Sequence, residues 1–336
     1  MKKKFLLFLI ISIISILLVL PLVSCKKEVE PEVKIIPYKF VDGSTTLIEM
    51  GEYPQTIATD VSVDDIKALG VYDEETGYYT YNDVKYKVMP AYADQGITNV
   101  TFSNGEEVVW GKEYAFKVEP IIWKIINKQI KDDTDYLLYA NKILESTHFQ
   151  DEDNYGASTG QVVNYYLKDA NGNLQITNEV YANNYEFSKL RSALSNFYEV
   201  AFSDDNRTAI KKITVDNTSS RATPDHGDDY FPRHQNDTED YVFALSKFEA
   251  TYSRYGFTEE DKERRFREVT DYAIARGVFY IQNSNGLKSG WIWTRTSGTA
   301  SNMVYYLNTL GEMKDRKIQN EDAVGIVPAM RVSPLE

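Results

Sequence analysis

From Tyr38 onward, apolar and polar residues alternate with a period of two. This alternation, broken by turn residues, predicts half-buried β-strands. Asn82-Asp83 predicts a hairpin turn between strands over 78–81 and 84–88, and Asn104-Gly105 predicts another between strands over 97–102 and 108–110. Further strands are predicted over 114–118, 121–126, 136–140, 278–282, 291–294, 303–307 and 324–332.

Three stretches have helical spacing instead. Apolar residues from Phe187 to Tyr198 predict the first long helix, and Ser203 is placed to cap a shorter helix that runs to about residue 212. A second long helix is predicted from Thr258 to Gly277, and its charged side chains are expected to face solvent: Glu259, Glu260, Lys262, Glu263, Arg264 and Arg267. Helices inserted between β segments predict an α+β class.

One domain is predicted over residues 38–336, because no linker interrupts that span. It would consist of a strand-rich part over 38–112, which carries the hairpins as a small inserted subdomain, and a main body over 113–336. A split into two fused units at about residue 112 is the alternative.

The amino terminus has the pattern of a secretory signal: three lysines at 2–4, then an apolar run over 5–23. Leu22-Val23-Ser24-Cys25 resembles the lipobox of bacterial lipoproteins, in which the cysteine carries the lipid. The resemblance implies a signal peptide over 1–24, lipidation at Cys25, and a charged tether that ends at residue 37. The body would then be extracytoplasmic and lipid-anchored to a bacterial membrane. An uncleaved transmembrane anchor is the alternative.

Composition and motif content exclude several classes of function. A formal net charge of −13 argues against nucleic acid as a partner, because the phosphate backbone would be repelled. A single cysteine leaves no intramolecular disulfide and no cysteine-based zinc site. Phosphate-loop, zincin and Gly-x-Ser-x-Gly motifs are absent from the sequence, so neither a cofactor nor a catalytic residue is predicted. The 25 tyrosines suit sugar or protein recognition, although they also suit half-buried strands.

Two polar features are weaker candidates. The loop over 224–241 is rich in carboxylates, and calcium tolerates irregular oxygen ligands, so its aspartates are either a cation site or a solvated surface: Asp225, Asp228, Asp229 and Asp237. His148 follows a predicted strand and is more typical of a loop hydrogen-bonding residue than of a catalyst.

Several ordered motifs together resemble the bacterial family called domain of unknown function 6273: 50–55, 116–125, 190–203, 214–217, 241–246, 293–296 and 325–329. The likeness runs over roughly residues 47–333. Its Trp293-Thr294-Arg295-Thr296 and Gly325 to Ala329 ending is similar to the core of C-type-lectin-like folds, including the sulfatase-modifying group. The resemblance implies such a fold without implying chemistry. Catalytic members of that group use cysteines or a histidine cluster. Here lipidation would leave no cysteine free and no histidine cluster is evident, so a binding role is expected.

Trp291, Trp293 and Arg295 would share one face of a strand in this motif. They would form either a ligand platform, with tryptophan stacking on a sugar, or a buried brace in which Arg295 pairs with a carboxylate. Asn302 and Tyr305, next to the strand ends, are the accompanying contact candidates.

The expected function is therefore that of a surface-displayed lipoprotein acting as a non-catalytic binding or adhesion module. Its partners would be the membrane, through the lipid anchor, and a glycan or protein ligand. The alternative is an envelope enzyme acting on cell-wall or glycan substrates, which would require two carboxylates converging in one cleft. A transporter's solute-binding partner is disfavoured, because the strand-rich pattern does not suggest two α/β lobes.

Overall fold

The computed structural model describes residues 36–128, 130, 133–150, 162–168, 174–218, 236–299, 302–318 and 323–335. Strands hold 39% of the residues and helices 16%, so the fold is strand-rich, as predicted. The strands are β1 Lys39–Phe40, β2 Leu47–Ile57, β3 Val71–Asp73, β4 Tyr78–Tyr81, β5 Val84–Pro90, β6 Glu113–Ile125, β7 Tyr136–Ala140, β8 Lys142–Ile143, β9 Glu145–Thr147, β10 Val162–Lys168, β11 Leu174–Tyr181, β12 Ile210–Lys211, β13 Ile213–Val215, β14 Thr238–Asp240, β15 Val242–Phe243, β16 Glu268–Val269, β17 Tyr280–Gln282, β18 Lys288–Gly290, β19 Ile292–Ser297, β20 Met303–Leu307, β21 Met313–Lys317, β22 Val324–Ile326 and β23 Ala329–Val332. The helices are α1 Val63–Leu69, α2 Lys189–Ala201, α3 Asp204–Arg207, α4 Lys247–Ala250 and α5 Asp271–Ala275, with 3₁₀ turns at Ser253–Tyr255 and Lys262–Arg264.

A ten-stranded sheet organises the described residues, in the order β12-β23-β7-β6-β5-β4-β3 with β1, β2 and β15 attached at its side. Strand β6 is its hub, because it pairs antiparallel with β2, β5 and β7 along its 13 residues. A five-stranded sheet, β21-β20-β19-β22-β9, and a four-stranded sheet, β17-β18-β16-β8, hold most of the carboxyl-terminal half. Strands that precede residue 112 and strands that follow it therefore share one sheet.

The core lies where β2 and β6 meet α2. Trp123 is fully buried, and its indole Nε1 donates a hydrogen bond of 2.8 Å to the Met50 carbonyl. Helix α2 contributes Phe197, whose ring lies 4.8 Å from the ring of Tyr53, centroid to centroid. Gly51 adopts φ +71°, and a Cβ there would come within 2.6 Å of the Ala201 carbonyl oxygen. Only glycine fits this close approach without displacing the end of α2.

Local chemistry explains the elements that the sequence predicted correctly. Ser188 caps α2 by accepting a hydrogen bond of 3.0 Å from the Arg191 backbone N–H, and the apolar residues of that helix are buried as expected. Asn82 and Asp83 connect β4 to β5 as the predicted two-residue hairpin, and their φ values of 49° and 61° are those of a primed turn.

The predicted long helix from Thr258 to Gly277 is wrong. Thr258 does make a capping contact, since it accepts 3.2 Å at Oγ1 from the Asp261 N–H, but only a 3₁₀ turn follows. Arg267, predicted to face solvent, is buried, and so is Arg265. Arg267 Nε donates 3.0 Å to the Ala140 carbonyl, and Arg265 Nη1 donates to the Gly311 carbonyl. A helix here would withdraw both guanidinium groups from these distant acceptors, so the chain forms β16 and the short α5 instead.

Smaller differences have similar causes. The predicted strands over 97–102 and 108–110 are absent, apart from one bridge between Thr101 and Glu107. In the turn predicted between them, Gly105 has a positive φ but Asn104 does not. Pro120 does not end a strand, because β6 runs through it as one element. The helix after Ser203 stops at Arg207, where β12 soon begins, and the segment over 324–332 is divided into β22 and β23.

Candidate functional site

A pocket of about 590 Å³ lies where the loop after β5 and the turn before β6 meet the end of α5. Its volume falls within the range of about 300 to 1,000 Å³ that small-molecule sites occupy. We call it the aromatic pocket, and its lining residues are Tyr92, Ala93, Asp94, Gln95, Gly96, Trp110, His148, Arg276, Gly277 and Ala323.

Two exposed aromatic side chains give this pocket its character. Trp110 is 56% exposed and Tyr92 is 46% exposed, and their rings meet edge to face with centroids 5.2 Å apart. Leaving this much aromatic surface in water is unfavourable unless something covers it part of the time, so such surface is typical of a contact site. Flat aromatic rings stack well on the apolar faces of sugar rings.

Backbone geometry fixes both aromatic residues. The Tyr92 N–H donates 2.7 Å to the Ala275 carbonyl at the end of α5. Gly277 has φ +90°, the left-handed conformation common just after a helix end, and a Cβ there would come within 2.8 Å of the Tyr92 carbonyl oxygen. On the other side, the Gly111 N–H donates 2.8 Å to the Ala91 carbonyl and holds the turn that carries Trp110.

Arg276 supplies the permanent positive charge of the aromatic pocket. Its Nε donates 2.7 Å to Glu145 Oε1, and its side chain is 42% exposed. The negative charge of Glu145 raises the pKa of Arg276 further above its usual value, so the guanidinium is charged at every accessible pH. Asp94 Oδ1 accepts 2.7 Å from the Gly96 N–H and shapes the loop that borders the pocket.

Glu145 is itself held by buried hydroxyl groups. Its Oε2 accepts hydrogen bonds from Tyr53 at 3.0 Å and from Tyr272 at 3.3 Å, while Oε1 also accepts 2.9 Å from the Ser146 N–H. Burial, together with the charge of Glu145, raises the pKa of Tyr53 and of Tyr272 well above the usual tyrosine value. Both tyrosines therefore remain hydrogen-bond donors and keep the Glu145 carboxylate in place.

Other depressions in the described residues offer less to a ligand. A groove of about 670 Å³ beside β1 and α3 is larger, but its charges pair among themselves, as in Lys39 with Glu49 and Arg207 with Glu199. In a groove beside α2, Tyr198 and Tyr241 stack on each other at 4.4 Å. The Arg207 guanidinium lies 5.0 Å from the centre of the Tyr198 ring and the Lys212 ammonium 5.8 Å from that of Tyr241, so both rings already have partners.

The structure places Trp293 and Arg295 inside the protein. Trp293 is 4% exposed and donates 2.9 Å from Nε1 to the Thr147 carbonyl. Arg295 is also 4% exposed, pairs with Glu249, and donates 2.8 Å to the Ala244 carbonyl. Of the two arrangements considered for this motif, the structure has the buried brace: both side chains are almost entirely buried, and Arg295 only borders a small groove of about 230 Å³.

The other three candidates, Trp291, Asn302 and Tyr305, also make internal contacts. Trp291 is half-buried, precedes β19, stacks on Phe279 with centroids 4.0 Å apart, and has the Arg316 guanidinium 4.3 Å from its ring. Asn302 is buried, and Tyr305 is buried under the Lys247 ammonium, which lies 3.8 Å from the centre of its ring. None of these three residues lines the aromatic pocket.

The proposed cation loop is largely beyond what the structure describes. Asp225, Asp228 and Asp229 lie outside the described residues, as does Cys25. Asp237 is described, and its Oδ1 accepts hydrogen bonds from the backbone N–H groups of Asn217 and Thr218. No group of three or more potential metal ligands occurs among the residues described. Within the same ranges, no helix has the length and apolar character needed to cross a membrane.

The sequence pattern does not distinguish Tyr92, Trp110 or Arg276 as functional residues. Trp110 lies in a predicted strand, where an aromatic residue needs no explanation, and Arg276 lies at the end of a predicted solvated helix. The available signal was local: Trp110 directly precedes Gly111, and Asp94-Gln95-Gly96 indicates a loop close to Tyr92. Aromatic residues in loops are more often functional than those in strands.

The chain belongs to the family described as Domain of unknown function (DUF6273), whose match covers residues 143–334. Neither a curated protein nor a solved structure matches the chain. The matched span includes His148, Arg276 and Ala323 of the aromatic pocket but not Tyr92 or Trp110. The family description names no activity, so the function of the chain has to be inferred from the pocket itself.

Proposed function

We propose that this chain is a lipid-anchored extracytoplasmic protein that binds a glycan in the aromatic pocket without chemically converting it. The observation that carries the proposal is the exposed Trp110 and Tyr92 pair at a pocket of about 590 Å³. Leu22-Val23-Ser24-Cys25, read as a lipobox, supports the anchor and its extracytoplasmic location. The proposal makes the membrane and a glycan its two partners.

The chemistry of the pocket favours a sugar over a purely apolar ligand. Two aromatic rings are combined with a guanidinium, a carboxylate and an amide: Arg276, Asp94 and Gln95. Such a combination gives one flat apolar surface for the faces of sugar rings and several hydrogen-bonding groups for their hydroxyls. Asp94 is the one carboxylate among the lining residues, whereas glycoside hydrolysis normally needs two.

A C-type-lectin-like fold is the finer form of this proposal. The Trp293 to Thr296 motif lies in β19, and the Gly325 to Ala329 motif links β22 to β23. Strands β19 and β22 are parallel neighbours in one sheet, with Ile292 beside Gly325. Neighbouring motif strands around a buried tryptophan support a shared core of that type.

The test is glycan binding by the full chain purified in detergent, first on a glycan array and then by calorimetric titration with the best ligand. We expect Trp110→Ala and Tyr92→Ala each to weaken binding at least about tenfold, because each substitution removes one or two favourable contacts between an aromatic ring and the ligand. Tyr72→Ala is the matched control, because Tyr72 is 51% exposed and lies outside the pocket. Absence of any glycan binding, or equal losses in all three variants, would contradict the proposal.

A further inference from the structure

The guanidinium of Arg276 is held from one side and open on the other. Its Nε is occupied by Glu145 Oε1 at 2.7 Å, and among the described residues its two terminal nitrogens make no hydrogen bond to the protein. The side chain lines the aromatic pocket and is 42% exposed. Two parallel N–H donors in this position match the two oxygens of a carboxylate.

Glu145 orients Arg276 but does not compete with a ligand for its open edge. Each oxygen of Glu145 already accepts two hydrogen bonds, from Arg276 and the Ser146 N–H on Oε1 and from Tyr53 and Tyr272 on Oε2. A carboxylate with four donors has little to gain from moving. Arg276 is therefore preorganised, and a ligand does not have to pay for ordering its side chain.

A second cation lies close to this pair. Lys87 donates 3.1 Å from Nζ to the Gly77 carbonyl, and burial together with the positive charge of Arg276 lowers the pKa of Lys87. Two cations, Arg276 and Lys87, thus accompany two carboxylates, Glu145 and Asp94, so the charges around the pocket nearly balance. A ligand carboxylate is therefore selected by the open edge of the Arg276 guanidinium rather than by a local positive field.

We infer that the aromatic pocket selects a glycan bearing a carboxylate, with the sugar ring against Trp110 and Tyr92 and its carboxylate on the open edge of Arg276. This inference rests on the proposed function and specifies the substrate class of the same site. Sugar carboxylates occur in uronic acids, in sialic acids and in muramic acid of the cell wall, and the inference concerns the chemistry that they share.

The experiment compares matched acidic and neutral oligosaccharides by calorimetric titration of the full chain in detergent. The pairs are trigalacturonate with its carboxyl-reduced form, sialyllactose with lactose, and the disaccharide of N-acetylglucosamine and N-acetylmuramic acid with chitobiose. We expect the acidic member of at least one pair to bind about 10- to 100-fold more tightly, the effect of hydrogen bonds to a charged group. Raising the salt concentration should reduce that preference and leave neutral binding unchanged.

Variants at Arg276 separate a ligand contact from a structural role. Arg276→Gln should bring acidic binding down to the neutral level, and Arg276→Lys should restore only part of the preference, since an ammonium lacks the planar fork. Arg254→Gln is the matched control, because Arg254 is exposed and does not line the pocket. Melting temperatures and neutral-sugar binding by the same variants show that the pocket remains folded.

These experiments separate selection for a carboxylate from the glycan binding on which it rests. If both members of every pair bind equally, or if Arg276→Gln keeps the acidic preference, the inference is overturned while glycan binding stands. If no member of any pair binds and the glycan array is also blank, the proposed function fails and the inference fails with it.

Discussion

The ion pair between Arg295 and Glu249 should be one of the most sensitive points of the fold. Arg295 is 4% exposed, and it also donates 2.8 Å to the Ala244 carbonyl and 3.2 Å to the Asp216 carbonyl. Glu249 is 21% exposed, and it caps α4 by accepting 2.8 Å from the Ser246 N–H. Glu249→Gln removes the negative charge but keeps an acceptor at the helix cap.

Breaking a buried ion pair costs about 3–5 kcal/mol of unfolding free energy, because the remaining charge stays buried without compensation. Water reaches Glu249 in part, and two carbonyl groups still solvate Arg295, so we expect a value near the lower limit, about 3 kcal/mol. Arg295→Met should cost less, since a partly exposed Glu249 can be solvated. The double variant should be less destabilised than the sum of the two, with a coupling of about 2 kcal/mol.

Urea unfolding of the full chain, followed by tryptophan fluorescence, measures these differences. Glu106→Gln is the control: Glu106 pairs with Lys112 at 3.0 Å, and their side chains are 40% and 52% exposed, so its removal leaves no buried charge and should cost less than about 1 kcal/mol. A cost below about 1 kcal/mol for Glu249→Gln, or a coupling near zero, would refute the reasoning that burial makes this pair strong.

Burial disfavours the charged form of Glu249, but Arg295 and the Ser246 hydrogen bonds hold its pKa below the usual value. Its stabilisation should therefore be complete above the unfolded pKa of about 4.3 and be lost as the pH falls through the lower folded pKa, a slope that Glu249→Gln should remove from acid unfolding curves. Gly51→Ala should lower the unfolding free energy by about 3 kcal/mol, because of positive φ and the clash with α2, whereas Gly43→Ala, with φ +73° and open space, should cost about 1 kcal/mol; equal costs in urea titrations would disprove the clash. Cys25→Ser should abolish incorporation of an alkyne-tagged fatty acid into the chain in labelled cells, and labelling that persists would argue against lipidation at Cys25.

The sequence predicted the elements whose determinants are local. Ser188 and the apolar spacing of α2 lie within a few residues of one another, as do Asn82 and Asp83 of the hairpin turn. The pattern over 258–277 also satisfied the local rules for a helix, down to the Thr258 capping contact. That prediction failed because Arg265 and Arg267 bond to carbonyl groups far along the chain, at Gly311 and Ala140. Periodicity cannot show whether a charged residue faces water or a distant acceptor.

The candidate site was missed for the same reason. Trp110 and Arg276 are 166 positions apart, and neither carries a motif by itself; they line one pocket because Tyr92 is hydrogen-bonded to the end of α5. The motif that sequence comparison made conspicuous, Trp293 to Thr296, is instead buried in β19. The recognisable motif of this chain thus belongs to its core. The exposed side chains of the aromatic pocket, in contrast, are brought together by contacts between segments that are distant in sequence.

The aromatic pocket is built from two parts of the chain, one inside the span matched by the family and one before it. The charged group and the aromatic rings of the pocket can therefore vary independently among family members. The Glu145 and Arg276 pair lies inside the span matched by the family, 143–334, and is supported from β9 and α5. Tyr92 and Trp110 lie before that span, on loops whose position depends on backbone hydrogen bonds to Ala275 and Ala91. A family member that keeps the pair but carries a different segment before β6 would retain the open edge of the guanidinium and lose the stacking surface. If the inference about carboxylates holds, charge recognition belongs to the family domain, and the segment before it decides which sugar ring is held against that charge.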